Sequence, residues 1–306
     1  MEVRRYRDCN SLCSNADGMR AAAILGPGNT PKILAAFQRQ ANAQWTGLVE
    51  QADAIVIFGG DGTIHHHLAL LVDLAAPVLV VPCGSGNDFA RALGLKTLKD
   101  SVAAWQKLAK GSKPEAIDLG VITPTPNRNS KVSDIRSNRP RYFCCVAGVG
   151  LDAEIAKRAN SLPRWLRAHG GYAFSAPGEF LRFSPFPMKV SPNGNSSGFF
   201  QSTILAAVAN AQSYGGGMKI APQAKLDDGK LDVCVVRGMN ALSLFCLFPT
   251  VFFGAHTRLR QVEYSQVPSV TIETELPFDV YADGEYVCQT PVEFSVAPKA
   301  LQVVVA

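Results

Sequence analysis

The chain has 306 residues, of which 47% are hydrophobic and 18% charged, with a formal net charge of +5. A mean hydropathy of +0.07 and a pI near 8.8 exclude a chain disordered by composition and leave enough apolar sequence for two hydrophobic cores. The mild positive charge permits attraction to phosphates or to an anionic membrane surface, but no run of Lys and Arg resembles a nucleic-acid-binding tail.

Residues 1–20 are polar and basic with no apolar stretch behind them, so they are expected to be a separate, flexible segment rather than a secretory leader. Ala21 to Leu25 is a short apolar run, Gly26 to Thr30 a loop, and Pro31 suits the first turn of a helix. Ala54 to Phe58 reads as a fully buried strand, Thr63 to Ala75 as a helix, Pro77 to Val81 as a second buried strand, and a further helix starts near Phe89. That alternation predicts βαβ units in a parallel sheet over residues 21–115. Thr123 to Pro140, rich in Pro, Asn, Ser and Arg, is predicted to be a loop. Short strand-like runs follow: Tyr142 to Val146, Phe199 to Val208, Leu231 to Val236, Val270 to Ile272, Phe278 to Tyr281 and Leu301 to Val305. Asn193-Gly194 and Asp283-Gly284 supply hairpin-type turns among them. Residues 116–306 are therefore expected to form a mainly antiparallel β domain, whose last strand can return to the first. The apolar stretch Ala241 to Gly254 is too short to span a bilayer and carries Pro249, so it predicts a core helix or one lying on a membrane surface. The eight cysteines contain no paired CxxC motifs. Several lie in apolar strands, a pattern expected of reduced, cytoplasmic thiols.

Two glycine-rich segments carry the chemistry. Gly59-Gly60-Asp61-Gly62-Thr63 follows one strand and Gly84-Ser85-Gly86-Asn87-Asp88 the next, each before a helix. Glycine lets the backbone approach a phosphate, and a helix N-terminus offers N–H groups and a favourable dipole. A carboxylate beside a phosphate repels it unless a Mg²⁺ lies between them or the carboxylate is a base, and Asp61 and Asp88 pose that choice. Neither segment is GxGxxG or GxxxxGK[ST]. Either one alone is an ordinary strand-to-helix turn; two at the ends of neighbouring parallel strands face one crevice.

GGDGT followed by PCGSGNDFARALG resembles the signature of the superfamily of diacylglycerol kinases, sphingosine kinases and bacterial lipid kinases, which is related to NAD kinases. AIDLG around Asp118, YFCCVAGVGLDAEIAKRAN, NAQSYGGGMKIAPQAKLDDGKLDV and VYADGEYVCQTPVEFSVAPKALQVVV continue the resemblance; about the first fifty residues match poorly. The resemblance implies an α/β plus β fold: an ATP-binding α/β domain over residues 21–115 and a β-sandwich substrate domain over 116–306, with the active site between them. It implies transfer of the γ-phosphoryl group of ATP to a lipid hydroxyl, most simply on a diacylglycerol-like lipid. A sphingoid base, a prenol or NAD is the alternative acceptor, and a catalytically silent nucleotide-binding regulator the alternative class. Gly59, Gly60, Asp61, Gly62, Thr63, Gly84, Ser85, Gly86 and Asn87 are then the phosphate-binding positions, and Asp61, Asp88 and Asp118 the holders of a catalytic Mg²⁺. Glu285 of the Asp-Gly-Glu motif is the implied base, with Asp61 the competing one. Lys225, Asp228 and Lys230 resemble a structural Mg²⁺ or Ca²⁺ loop.

The sequence departs from that pattern in two places. The first loop is Gly26-Pro27-Gly28-Asn29 instead of Asn-Pro-x-Ser-Gly, which leaves adenine recognition unassigned. His65, His66 and His67 replace a segment that normally carries Asn-Glu; consecutive residues on a helix point about 100° apart and do not chelate one ion together. The reading as a whole implies a lipid substrate, peripheral membrane contact at the cytoplasmic face and no nucleic acid, and is compatible with a homodimer. Leu162 to Arg167, and Phe252, Phe253, Arg258 and Arg260, are the mixed basic and aromatic positions suited to an anionic lipid surface.

Overall fold

The computed structural model describes residues 19–27, 30–41, 43–125, 141–162, 178–194 and 199–306. They fall into two compact units, one of residues up to Ala116 together with Leu301–Ala306, the other Ile117–Ala300. Most of residues 1–20, of the predicted loop after Thr123 and of the basic segment from Leu162 lies outside the described residues.

In the first unit the β-branched run of Ala54–Gly59 (β3) is buried at every position, as is most of Val78–Pro82 (β4). Strands of this kind need cover on both faces, which parallel ladders with crossover helices provide. Arg20–Leu25 (β1) pairs parallel with both Gln44–Trp45 (β2) and β3, and β3 pairs parallel with β4. Val303 then pairs parallel with Val78, so the chain's last residues join this sheet at β4. Around the sheet lie the helices Thr30–Ala41 (α1), Asp61–Leu74 (α2), Asp88–Ala92 (α3) and Leu98–Ala109 (α4). α2 buries Ile64, Leu68 and Leu71, the i, i+4, i+7 stripe of a helix facing a core. Phe37 of α1 meets Phe58 and Trp105 edge-on, with ring centroids 5.5 and 6.3 Å apart. The Trp105 indole donates to the carbonyl of Ala41 at 3.1 Å, so the largest buried side chain has its polar atom satisfied. α4 starts on a capping box of Thr97 and Asp100.

The second unit is antiparallel. Its strands are Glu115–Pro124 (β5, which begins in the first unit), Arg141–Phe143 (β6), Val146–Gly150 (β7), Phe186–Pro192 (β8), Gln201–Ala209 (β9), Leu231–Arg237 (β10), Val262–Val267 (β11), Ser269–Thr274 (β12), Asp279–Ala282 (β13), Glu285–Gln289 (β14) and Val292–Val303 (β15, whose last three residues belong to the first unit). The order β14–β13–β7–β9–β8–β12–β15 places β13 against β7, while β10 joins β9 to β11. β9 changes partner along its length: Gln201–Thr203 pairs with β8 and Leu205–Ala209 with β7. The core includes Phe143, Met188, Val208, Val233, Ile272 and Phe294. Leu151–Ser161 (α5) follows β7 directly, and Ala241–Val251 (α6) starts on Asn240, whose side chain accepts from the N–H of Ser243.

Several sequence expectations need correction. The predicted strand over Tyr142 to Val146 is two strands, because Cys144 and Cys145 form a bend between β6 and β7. The strand expected at Leu301 to Val305 starts nine residues earlier, at Val292. The apolar stretch at 241–254, expected as a core helix or one lying on a membrane surface, is a helix with one buried face: Leu244, Leu247 and Val251 are buried, while Leu242 and Phe253 are 75% and 83% exposed.

Candidate active site

The two glycine segments meet through their backbones. Gly59 ends β3, and its carbonyl accepts from the N–H of Cys83 at 2.9 Å, which ties together the ends of β3 and β4. Gly60 precedes α2 as its N-cap. A Cβ added at Gly60 would lie 2.8 Å from the Cα of Gly84, and one added at Gly84 would lie 2.6 Å from the Cα of Gly60. No side chain fits either position, so only glycine allows this approach. Thr63 is packed the same way: a Cβ on Gly26 would come within 2.5 Å of its Oγ1, and one on Gly59 within 2.6 Å of its Cβ. The loops after β1, β3 and β4 therefore converge at the N-terminus of α2, where the helix dipole favours an anion.

Side chains hold this arrangement in place. Asn87 sits at φ 53°, and its amide bridges Gly84 twice, accepting from the N–H at 2.8 Å and donating to the carbonyl at 2.6 Å. Asp61, the first residue of α2, accepts the N–H groups of Asp88 at 3.1 Å and Phe89 at 3.0 Å. It thereby caps α3 and lashes the second loop to the first. Asp88 is buried, and its carboxylate accepts from Arg91 at 2.6 Å, while Arg91 also donates to the carbonyl of Gly86 at 2.8 Å. Sequence reasoning did not find Arg91; its signal is the i, i+3 spacing in Asp-Phe-Ala-Arg. Asp61 and Asp88 are thus adjacent. That donor set fits a Mg²⁺ that keeps several waters. His67 Nδ1 is 2.8 Å from the carbonyl of Thr63, one helical turn back, and the rings of His65 and His66 stand edge-on 6.0 Å apart.

Asp118 belongs to the second unit. Its carboxylate accepts the N–H of Gly229 at 2.7 Å and of Lys299 at 2.8 Å, and its own N–H donates to the carbonyl of Leu226 at 2.6 Å. It clasps the Lys225–Lys230 loop, a use the sequence did not suggest. Within that loop Gly229 takes φ +70°, and Asp228 accepts from the N–H of Lys230 at 3.1 Å. Asp232, two residues beyond, is fully buried; Tyr264 and Gln266 donate to its Oδ1, and its Oδ2 has no partner among the described residues. Burial first, and then the nearby charge of Asp228, raise the pKa of Asp232. Lys225, Asp228 and Lys230, the expected holders of a Mg²⁺ or Ca²⁺, all lie on this loop.

The Asp-Gly-Glu turn is fixed from both sides. Asp283 and Gly284 both have positive φ, 51° and 87°, between β13 and β14. The Asp283 carboxylate accepts three backbone N–H groups, from Cys144 at 2.9 Å, Cys145 at 2.8 Å and Val146 at 3.3 Å. Asn160 donates to the carbonyl of Gly284 at 2.7 Å. Glu285, the first residue of β14 and half-buried, stands on this anchored turn.

The same unit contains an apolar cavity whose lining includes Leu151, Ile155, Phe180, Leu244, Phe248 and Met218. Asp152, Tyr214 and His256 interrupt this apolar wall. Asp152 in α5 is buried; desolvation pushes its pKa up to about 7 against the partial offset of the Ala153 N–H. Its carboxylate lies over Gly148, where any Cβ would collide with it. His256 is buried with Nε2 3.0 Å from the carbonyl of Ile220 and no partner for Nδ1 among the described residues; burial lowers its pKa. No sequence signal marks this cavity, because its lining is drawn from segments as far apart as Leu151 and His256.

Comparison with known proteins agrees with the two halves of this description. Residues 26–122 match the diacylglycerol kinase catalytic domain, and residues 145–305 match the YegS C-terminal NAD kinase beta sandwich-like domain. A diacylglycerol kinase of Mycobacterium tuberculosis is 35% identical over 252 residues, 82% of this chain and 76% of that protein. A YegS-like lipid kinase of Chromohalobacter salexigens is 30% identical over 239 residues, 76% of this chain and 69% of that one. A solved structure from Bacillus anthracis, assigned to the diacylglycerol kinases, covers 97% of this chain and 98% of its own at a TM-score of 0.70; at 20% identity it speaks for the fold alone. The chain belongs to the family of bacterial diacylglycerol kinases and YegS-like lipid kinases.

Proposed function

We propose that this protein is an ATP-dependent lipid kinase acting on the hydroxyl of a diacylglycerol-like lipid. The observation that carries the reading is the backbone contact of Gly60 with Gly84 at the N-terminus of α2, an approach only glycine allows, which brings both loops to the end of the helix that favours an anion. Bound there with Mg²⁺, ATP supplies the phosphoryl group, and the cation offsets the charge that builds on it. Gly59 to Thr63 and Gly84 to Asn87 would receive phosphate oxygens. Asp61, Asp88 and Asp118 would hold the cation, in part through water. Lys225, Asp228 and Lys230 would hold a second, structural cation.

Glu285 is the better base. A proton taken by Asp61 would weaken its hold on the N–H groups of Asp88 and Phe89 and so loosen the second loop. Glu285 instead stands on a turn whose anchors are the neighbouring Asp283 and Gly284, so it can change charge without disturbing them. For the lipid, the cavity beside α6 has an apolar lining suited to hydrocarbon, and the relatives named diacylglycerol kinase favour that acceptor. Among the described residues no helix is long and apolar enough to cross a membrane. The exposed Leu242 and Phe253, with Arg258 and Arg260 close in sequence, suit contact with an anionic bilayer surface, which for this chain we place at the cytoplasmic face.

The test compares two variants by calorimetric ATP binding and by phosphorylation of diacylglycerol in mixed micelles. Glu285→Gln is expected to keep ATP binding and lose about 10²–10⁴ in rate. Asp61→Asn is expected to weaken ATP binding as well and to raise the Mg²⁺ requirement. Near-normal turnover by Glu285→Gln would remove Glu285 as the base, and a wild type that binds ATP yet phosphorylates no lipid would end the kinase reading.

A further inference from the structure

Successive residues of a regular strand point to opposite faces. The bend at Cys144 and Cys145, between β6 and β7, breaks that alternation. Both thiols are buried, and the two Sγ atoms and a carboxylate oxygen of Asp283 all lie within 4.8 Å of one another. We propose that Cys144, Cys145 and Asp283 form a binding site for a thiophilic divalent cation of the zinc class.

The geometry is close to what such an ion requires. Bonds of about 2.3 Å to sulfur and 2.0–2.2 Å to oxygen, at a tetrahedral angle, hold S and O about 3.5 Å apart and two sulfurs about 3.8 Å apart. Cys144 Sγ donates to Asp283 Oδ2 at 3.5 Å, so the thiol proton occupies the place the cation would take. The carboxylate is already fixed by the N–H groups of Cys144, Cys145 and Val146; little ordering remains to be done when the ion arrives. Asp283 lies on a half-exposed turn, and the fourth ligand of a tetrahedral ion would be supplied by solvent. Binding replaces two thiol protons, which pass to the buffer, with two metal–sulfur bonds, and the carboxylate adds a third bond without proton loss. Two thiolates select against Mg²⁺ and Ca²⁺, which prefer oxygen throughout. The site is therefore distinct in chemistry from the Lys225–Lys230 loop and from the paired Asp61 and Asp88.

The reduced, chelator-stripped full chain is titrated with Co²⁺, followed by absorption, and then with Zn²⁺, followed by calorimetry in two buffers of different ionisation heat. The expected result is one thiolate-to-cobalt charge-transfer signal per chain, displaced by Zn²⁺, with about two protons released per ion at neutral pH. Cys144→Ser and Cys145→Ser should each weaken Zn²⁺ binding roughly 100-fold or more, while Cys246→Ser, which removes an exposed thiol, should not. Asp283→Asn covers the case in which a buried Cys→Ser variant fails to fold: it should keep a charge-transfer signal but bind at least about tenfold more weakly. Absence of the signal in wild type would overturn the proposal. A signal unchanged in Cys144→Ser and Cys145→Ser, or wild-type affinity in Asp283→Asn, would do the same.

Discussion

Asp152 gives a test of the structure that does not depend on turnover. Its carboxyl is buried in the wall of an apolar cavity and titrates near 7, against 3.8 when exposed. The folded state therefore holds a proton that the unfolded state has released between about pH 4 and pH 7. Stability from this group is fully present below pH 4 and is lost as pH rises through 7. At 1.36 kcal/mol per pH unit the full loss is about 4 kcal/mol, an upper bound because water entry and local relaxation soften the penalty of burial. Asp152→Asn keeps the shape and an oxygen for the Ala153 N–H but carries no charge at any pH. Its stability relative to wild type should rise between pH 5 and pH 7 and level off above pH 8, by at least about 1 kcal/mol, or about 2 °C or more in melting temperature. Denaturant melts of both proteins at pH 5, 6, 7, 8 and 9 measure the difference directly. A gap that stays flat across that range would show that Asp152 is hydrated or paired, and the buried cavity wall would be wrong.

Other consequences are equally direct. Gly84→Ala places a Cβ 2.6 Å from the Cα of Gly60, so it should weaken ATP binding at least about tenfold, or about 1.4 kcal/mol, by calorimetry, while the melting of the β-rich unit stays near that of wild type. Asp228→Ala should abolish the difference in stability between excess Mg²⁺ and EDTA, about 2.7 kcal/mol for an ion at a hundred times its dissociation constant, as followed by thermal melts; no such difference in wild type would argue against a structural cation. Phe253→Asp, at a position 83% exposed, should reduce sedimentation with anionic vesicles several-fold and leave turnover on a short-chain soluble diacylglycerol unchanged.

The sequence disclosed the parts of this molecule whose chemistry is local. Glycines between a buried strand and a helix mark a place where backbones approach too closely for a side chain. The Asp283-Gly284 turn is legible because that pair tolerates positive φ. Phe186–Pro192, by contrast, has prolines at its second and last positions and no clean alternation, yet it forms β8 because β9 and β12 pair with it. Asp152 stands in the first turn of α5, where a carboxylate complements the helix dipole, yet α5 presses it over Gly148 and out of water. Burial of this kind is decided by residues that meet from distant segments, and no single stretch records it.

The aspartates show where sequence motif and architecture part company. Asp61, Asp118 and Asp283 each spend their carboxylate on backbone N–H groups of a segment far along the chain, 27, 111 and 138 residues away. A carboxylate is suited to that task because it offers two oxygens and no donor, so it can accept from both strands of a turn at once. Asparagine offers one such oxygen, and its amide N–H₂ would face the second backbone N–H. An Asp→Asn change at any of the three should therefore loosen a loop as well as remove a charge. The loss of activity it causes divides into two terms: a structural one, visible as a lower melting temperature without any ligand, and a chemical one that remains when stability is matched. For Asp283, which takes no part in the proposed phosphoryl transfer, the structural term should account for the whole loss. For Asp61 it should account for only part, with the remainder following the Mg²⁺ concentration. A loss at Asp61 fully explained by stability would make it a clamp alone, and would leave Asp88 and Asp118 as the holders of the catalytic cation.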